Sequence, residues 1–487
     1  MIAKTVMLAC LPAVLLAQAP ASLPPQERAF VSVDAPKVAI THVKVIDGTG
    51  AVPRDDQTIL LDGGKIRWVG PSASASIPSD AKVLDLTGHT VIPGMVGLHD
   101  HTFYGGAGWP YVHQPVSAPR LYLATGVTTI RTTGSTAPYA DLVLKAAIDH
   151  GEVVGPRMYI TGPYITGPGG NDGMMHEVAT PAAAQREAAY WGEEGASWLK
   201  VYDRIRGAEL KALVTEAHKH GVKVTGHLCS IGYREAVAAG MDAVEHGLYA
   251  NQEYDPDKRP DQCPGVKMSV FESLDLNGPA VRATFKDMVD HHVAMTSTMA
   301  IFESLMPGRP PIEERTMDAL YPPAKDAYLQ ARTFLASIPA ERAPVSEAGF
   351  KKMGAYEVAF VRAGGLLGAG VDPTGIGGVP AGFGDQRNYE LFLEAGFTPV
   401  EAIQILSANG ARILGEAERF GTITVGKSAD LVVIHGDPVA RPAEIRNVTV
   451  VFKNGVGYDS AKLIASAIIP RRAASRSTAG CEHVFTL

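Results

Sequence analysis

At 487 residues, 46% of them hydrophobic, the chain is long enough for a barrel plus a second domain and too apolar to be disordered. Its formal net charge of -7 is spread along the sequence with no Lys/Arg run, which argues against nucleic acid as a partner. The 51 glycines and 34 prolines are what a loop-rich enzyme needs.

Residues 1–21 read as a secretory signal: Lys4 precedes a short apolar run, and Ala17-Gln18-Ala19 sets small residues at the offsets of a cleavage site. That run is too short to span a bilayer, and no later stretch reaches spanning length, so no stable membrane insertion is expected. Met7 and the very short run before Cys10 argue against a lipidated cysteine. The mature chain is therefore expected to be secreted or periplasmic. Cys229, Cys263 and Cys481 remain there, and Cys229 and Cys263 fall in loops of one face. They are candidates for a bridge, with three unpaired thiols as the alternative.

From Val38 to Ile92, short runs alternate apolar and polar residues and read as antiparallel strands. The same character returns in ADLVVIHG and VTVVFKNG, where Lys453-Asn454-Gly455 favours a tight hairpin. Segments 37–92 and 418–460 are expected to share one sheet domain. Residues 468–487 read as a loosely held extension.

Between them, residues 93–417 alternate helix-like segments with short apolar runs: VIPGMVGLHDH, GVTTIRTTG, RMYITG, WLKVY, KVTGH, AVEHG, VAMTSTM and LLGAGVD. Helix starts are marked at Thr180-Pro181 and at Thr398-Pro399, where Glu401 completes a capping box. Ala208 to His220 carries helical periodicity stopped by Gly221, which leaves His218 and His220 at the surface. The order helix, strand, polar residue, glycine-rich loop suits a parallel barrel, whose strand ends converge on one face.

His99 and His101 lie at i and i+2 of an extended run and face one point. Alone they would fit an ordinary polar pocket. Lys200, His227, His246 and Asp372 end four further runs, however, so that six metal-competent side chains meet at one mouth. Two long segments emerge at that mouth, NQEYDPDKRPDQCPGVK and the stretch from Ile301 to about Phe350, and are expected to select the substrate.

These six positions, with the phrase entering the first barrel strand and the closing phrase GTITVGKSADLVVIHGDP, resemble the amidohydrolase superfamily. The matching branch has two metals bridged by a carboxylated lysine, and the chain is similar to its secreted Xaa-Pro/Xaa-Arg-type dipeptidases and imidazolonepropionase-like hydrolases. The resemblance implies an α/β fold, a (β/α)8 TIM-like barrel flanked by a composite β-sandwich. It implies two divalent ions, zinc first by ligand type, with His99, His101 and Asp372 on one and His227 and His246 on the other. Lys200 would bridge them as a carbamate formed from its neutral amine and carbon dioxide.

The implied reaction is hydrolysis of a small amide by a metal-bridging hydroxide, with Asp372 moving the proton to the leaving nitrogen. A dipeptide or N-acyl amino acid carries a free carboxylate, for which Arg131, Arg204 or Arg206 is the candidate cation. Tyr202, Tyr233, His176 and Asn171 are candidates to contact the substrate or its oxyanion. Leu228 and Cys229 stand where related dipeptidases often carry a tyrosine after the fifth-strand histidine. That departure keeps a lactone, cyclic-amide or aryl-amide hydrolase as the alternative. A mononuclear deaminase is a further reading, against which Lys200 speaks, and a homo-oligomer is compatible with the sequence.

Overall fold

The computed structural model describes residues 23–106, 108–170, 174–339 and 342–468. The signal at 1–21, Asn171 and all of the C-terminal extension beyond Ile468 lie outside the described residues.

Strands from both ends of the chain make one nine-stranded sheet. Its join is an antiparallel pair of Leu431–His435 with His89–Pro93, in which Val432 opposes Ile92 and Val433 opposes Val91. The N-terminal strand Val31–Val33 also enters this sheet, beside Val456–Asp459, so the domain reaches further toward the N-terminus than 37–92. Its interior is a cluster that includes Val38, Ile40, Ile59, Leu61, Val91, Leu431, Val433 and Phe452. Alternation along the strands puts these side chains on the inner face. The turn of Asn454 (φ 50°) and Gly455 (φ 81°) is left-handed at both positions, as a tight hairpin with the right twist requires. A Cβ on Gly455 would lie 2.7 Å from the Cα of Gly64, so two hairpin tips meet here and fold the sheet over on itself.

Parallel strands form the barrel. Met95–Gly97 pairs on one side with Val127–Arg131 and on the other with Leu367–Ala369, the eighth strand. Ala294–Ser297 and Ala243–Glu245 continue that side. The third strand is split at Ile160: Arg157–Tyr159 pairs with the second strand, and Thr161–Thr166 turns to pair with Trp198–Val201. Lys223–Gly226 follows, and the amide of Asp242 donates to the carbonyl of Val224 across the last seam. The helices pack outside on a continuous apolar layer. Thr180 caps the helix Pro181–Glu193 and Thr398 with Glu401 boxes Pro399–Gln404, both where the sequence marks them.

No described helix is long and apolar enough to cross a membrane. The segment after the seventh strand holds the helices Met299–Ser304, Glu314–Asp318, Pro322–Ser337 and Glu347–Arg362, so most of the expected long loop is helical. Cys229 and Cys263 form a disulfide with Cα atoms 4.9 Å apart, tying the end of the fifth strand to the loop after the sixth.

Candidate metal centre

All six side chains singled out in the sequence stand at C-terminal strand ends. His99 and His101 follow Met95–Gly97, Lys200 lies in Trp198–Val201, His227 follows Lys223–Gly226, His246 follows Ala243–Glu245 and Asp372 follows Leu367–Ala369. His246 (φ 69°) and Asp372 (φ 49°) adopt left-handed backbone, uncommon for any residue but glycine though reached more readily by Asp and His than by most. The turn ends the strand abruptly and brings both side chains over the mouth, a strain of the sort that collects at functional sites.

One ligand atom each from His99, His101 and Asp372 lies within 4.8 Å of the others, and all three residues are buried. The hydrogen bonds behind the rings fix which nitrogen faces the centre. His99 Nδ1 donates to Glu245 Oε2 at 2.8 Å, and His101 Nδ1 to the carbonyl of Gly134 at 3.1 Å. His246 Nδ1 is bonded to Thr298 Oγ1 at 2.7 Å. Each ring therefore points Nε2 inward. A carboxylate or carbonyl behind a histidine is the usual way a protein orients a metal ligand.

What meets there is a set of acceptors. His99 Nε2 is 3.6 Å from Asp372 Oδ2 and His101 Nε2 is 3.5 Å from Asp372 Oδ1. Lys200 Nζ lies 3.0 Å from His99 Nε2. His246 Nε2 is buried with no hydrogen-bond partner, and its ring sits 4.5 Å from that of His99 and 4.4 Å from that of His227. An orphaned buried ring nitrogen is a cost that a cation would remove. The residues present fit a metal.

The electrostatics agree. Burial, then the charge of Lys200, pushes His227 down to about 3, and burial holds His99 and His246 well below their ordinary value. Neutral imidazoles are what a metal takes. Burial also lowers the Lys200 ammonium to about 8, against the opposing pull of Asp372 and Glu245. Burial works to raise Asp372, but His99, His101 and Lys200 together hold it below its usual range.

Above the ligands lies a cavity of about 220 Å³, walled by Tyr111, Tyr164, Tyr202, Tyr249, Ile301 and Phe302 and open to Lys200, His227, His246 and Asp372. Phe103 stacks on His101 at 4.5 Å and Tyr111 on Phe103 at 5.1 Å, an aromatic ladder from a ligand to the cavity wall.

Several expected substrate contacts lie elsewhere. Arg131 is fully buried beneath the site, where Nη2 binds Glu245 Oε1 at 2.5 Å, Nε donates to the carbonyl of Leu98 at 2.8 Å and the guanidinium stacks 4.4 Å from Trp198. It can meet no substrate, because Glu245 and Trp198 already surround it. Tyr233 is buried, its hydroxyl donating to the carbonyls of Glu245 and Gly247, so it braces the His246 turn from behind. His176 is exposed and paired with Glu187 at 2.9 Å. Arg204 and Arg206 are exposed and do not line the cavity. Tyr202 does line it. Sequence reasoning missed Glu245, whose signal was an acidic residue pointing into the barrel one place before a ligand. It also missed Tyr111, Tyr249 and Phe302, which read as ordinary loop and helix aromatics.

A sequence model described as the Amidohydrolase family matches residues 122–259 and 354–456. An imidazolonepropionase of Erwinia tasmaniensis is 25% identical over 421 residues, covering 80% of this chain and 88% of its own length. An imidazolonepropionase of Pseudomonas syringae pv. tomato is 38% identical over 52 residues, so the match spans 11% of this chain and only 13% of that relative. A solved structure described as a putative prolidase from Bifidobacterium longum superposes with a TM-score of 0.64 at 24% identity, covering 88% of this chain and 98% of its own. Fold and site define a parallel-barrel scaffold whose C-terminal face gathers side chains that could hold a metal ion. The sequence match spans just under half of this chain, and over those residues the chain is similar to the Amidohydrolase family.

Proposed function

We propose that this protein is a metal-dependent hydrolase that cleaves a carbon–nitrogen bond of a small amide. The observation that carries this reading is the buried trio His99, His101 and Asp372, whose ligand atoms lie within 4.8 Å of one another, with the rings of His246 and His227 beside them. His99, His101 and Asp372 would hold one divalent ion and His227 and His246 a second, zinc being first by ligand type. Lys200 would join them as a carbamate, and its ammonium, lowered to about 8 by burial, supplies the neutral amine that carbon dioxide needs. When bound, the ions polarise the scissile carbonyl and activate water.

The chain's own residues do the rest. Asp372 lies at the cavity floor, where its free carboxylate oxygen can take a proton and return it to the leaving nitrogen. Tyr202 and Tyr249, with rings 4.7 and 6.3 Å from that of His227, are the cavity's candidates to donate to a developing oxyanion. The aromatic walls limit water around the reacting bond.

Export is part of the proposal: the Cys229–Cys263 disulfide suits an oxidising compartment, in keeping with the signal read at 1–21. The test is a metal count and an amide-turnover panel on zinc-loaded, bicarbonate-treated protein, with Asp372→Asn as the blank. Two ions per chain and turnover absent from the blank are expected. One ion per chain, or equal turnover in the blank, would refute the bridged site or the proton role.

A further inference from the structure

The cavity over the ligands lacks the one group that a free carboxylate needs. Among the described residues, Lys200 is the only cation lining it, and Lys200 is committed to His99 and packed against the rings of Tyr164 and Tyr202, 5.1 and 5.6 Å from their centroids. The internal stretches left undescribed, Ala107, Asn171 to Gly173 and Ala340 to Glu341, contain no lysine or arginine. Arg131, the nearest guanidinium below, is buried against Glu245.

The walls are aromatic instead, four tyrosines and Phe302, and they form two surfaces. Tyr249 and Phe302 pack as a tilted pair with centroids 4.1 Å apart, and Ile301 lies beside them on the helix Met299–Ser304. Opposite, Tyr164 meets Tyr202 edge-on at 5.8 Å and Tyr111 continues the wall through its stack on Phe103. Met174 and Met175 close one side with adaptable thioethers. A carboxylate held between these rings, away from the ions at the floor, would give up its water with no lysine or arginine of the described lining to receive it. A ring or branched alkyl group would gain burial and stacking. The volume, about 220 Å³, equals roughly seven waters at about 30 Å³ each, which admits one such group beside the scissile bond.

We infer that this site takes uncharged amides carrying an aromatic or branched apolar group next to the scissile bond, of the aryl-amide or cyclic-amide kind, rather than dipeptides or N-acyl amino acids with a free carboxylate. This rests on the amide-hydrolase reading.

Two readouts separate the failure of one from that of the other. The first is kcat/KM of zinc-loaded protein on matched pairs: N-acyl anilides and N-acyl amino acid amides against the corresponding N-acyl amino acids. The uncharged member should lead by about 100-fold or more. The second is calorimetric binding of the same pairs to metal-loaded Asp372→Asn, which needs no turnover. Uncharged amides that bind well but are not cleaved by the wild type would sink the hydrolase reading and leave the selectivity standing. Free acids that bind or turn over as well as their neutral partners, or binding of neither, would overturn the selectivity. Phe302→Ala, with its metal content and melting temperature checked, should lower affinity for the aromatic amides about tenfold and leave the weak binding of free acids unchanged. An equal loss for both would also count against it.

Discussion

The floor and the roof of the cavity are built on opposite principles. On the floor, Arg131, Glu245, Thr225 and His99 form a fully buried chain in which both Glu245 oxygens are used. Every ring orientation there is dictated by a partner behind it. The roof is made of Tyr111, Tyr249, Ile301 and Phe302, which arrive on three separate segments and are held by ring contacts, Tyr249 on Phe302 and Tyr111 on Phe103. Directional bonds hold the floor in one geometry, as a metal requires, whereas stacking tolerates small shifts and lets a roof accept related ligands. Floor substitutions should therefore abolish binding of metal or turnover, and roof substitutions should redistribute substrate preference.

The largest test of that division is Asp372→Asn. It keeps the shape and removes the proton acceptor, so kcat should fall by about 10²–10⁴ with two metals still bound. Turnover near the wild-type level would make Asp372 a ligand alone. Opening the Cys229–Cys263 bridge by serine at both positions asks how far the roof depends on a covalent tie. With the cysteines 34 positions apart in sequence, the chain-entropy argument gives a loss of roughly 3–4 kcal/mol in denaturant unfolding. Metal affinity should change little, because neither cysteine is a ligand.

Glu245→Gln sharpens the floor. It weakens the hold on the His99 tautomer and leaves Arg131 with an uncharged partner, so zinc affinity should drop about 10–100-fold, read by competition with a chelator. An unchanged affinity would mean the backbone alone orients His99. The smallest effect concerns Glu357, buried behind the floor and accepting from Ser297 Oγ at 2.8 Å. Burial pushes its carboxyl from 4.5 up to about 8. Between those values the folded protein holds a proton that the unfolded chain has released, so stability falls as pH rises through the window. Glu357→Gln should flatten that decline by roughly 1–2 kcal/mol between pH 5 and pH 8, followed as melting temperature. A parallel pH curve in the variant would remove Glu357 as its source.

Much of this molecule could be read before any coordinates. The strand ends carrying His99, His101, Lys200, His227, His246 and Asp372 are legible because a parallel barrel imposes one repeated order, helix, strand, polar residue and loop. The same order fixes the caps at Thr180 and Thr398, since hydroxyl, proline and glutamate act within one turn of chain. The sheet domain shows itself by alternation and by Asn454-Gly455, again local properties.

What the sequence left open depended on contacts between distant segments. Arg131 looked available for a carboxylate because it ends a strand beside the mouth; only the arrival of Glu245, 114 residues later, shows that it is held below. The third strand's break at Ile160 sends its two halves to different neighbours, a pairing that the run itself does not name. The aromatic roof is the clearest case. Tyr111, Tyr249 and Phe302 have no shared spacing, so periodicity cannot join them. The sequence by itself determined the fold and which six side chains end its strands, because both follow from patterns repeated along the chain. Tertiary structure alone decided which charges are already paired and what lines the cavity, because pairing and enclosure are properties of positions in space that no local rule of the chain encodes.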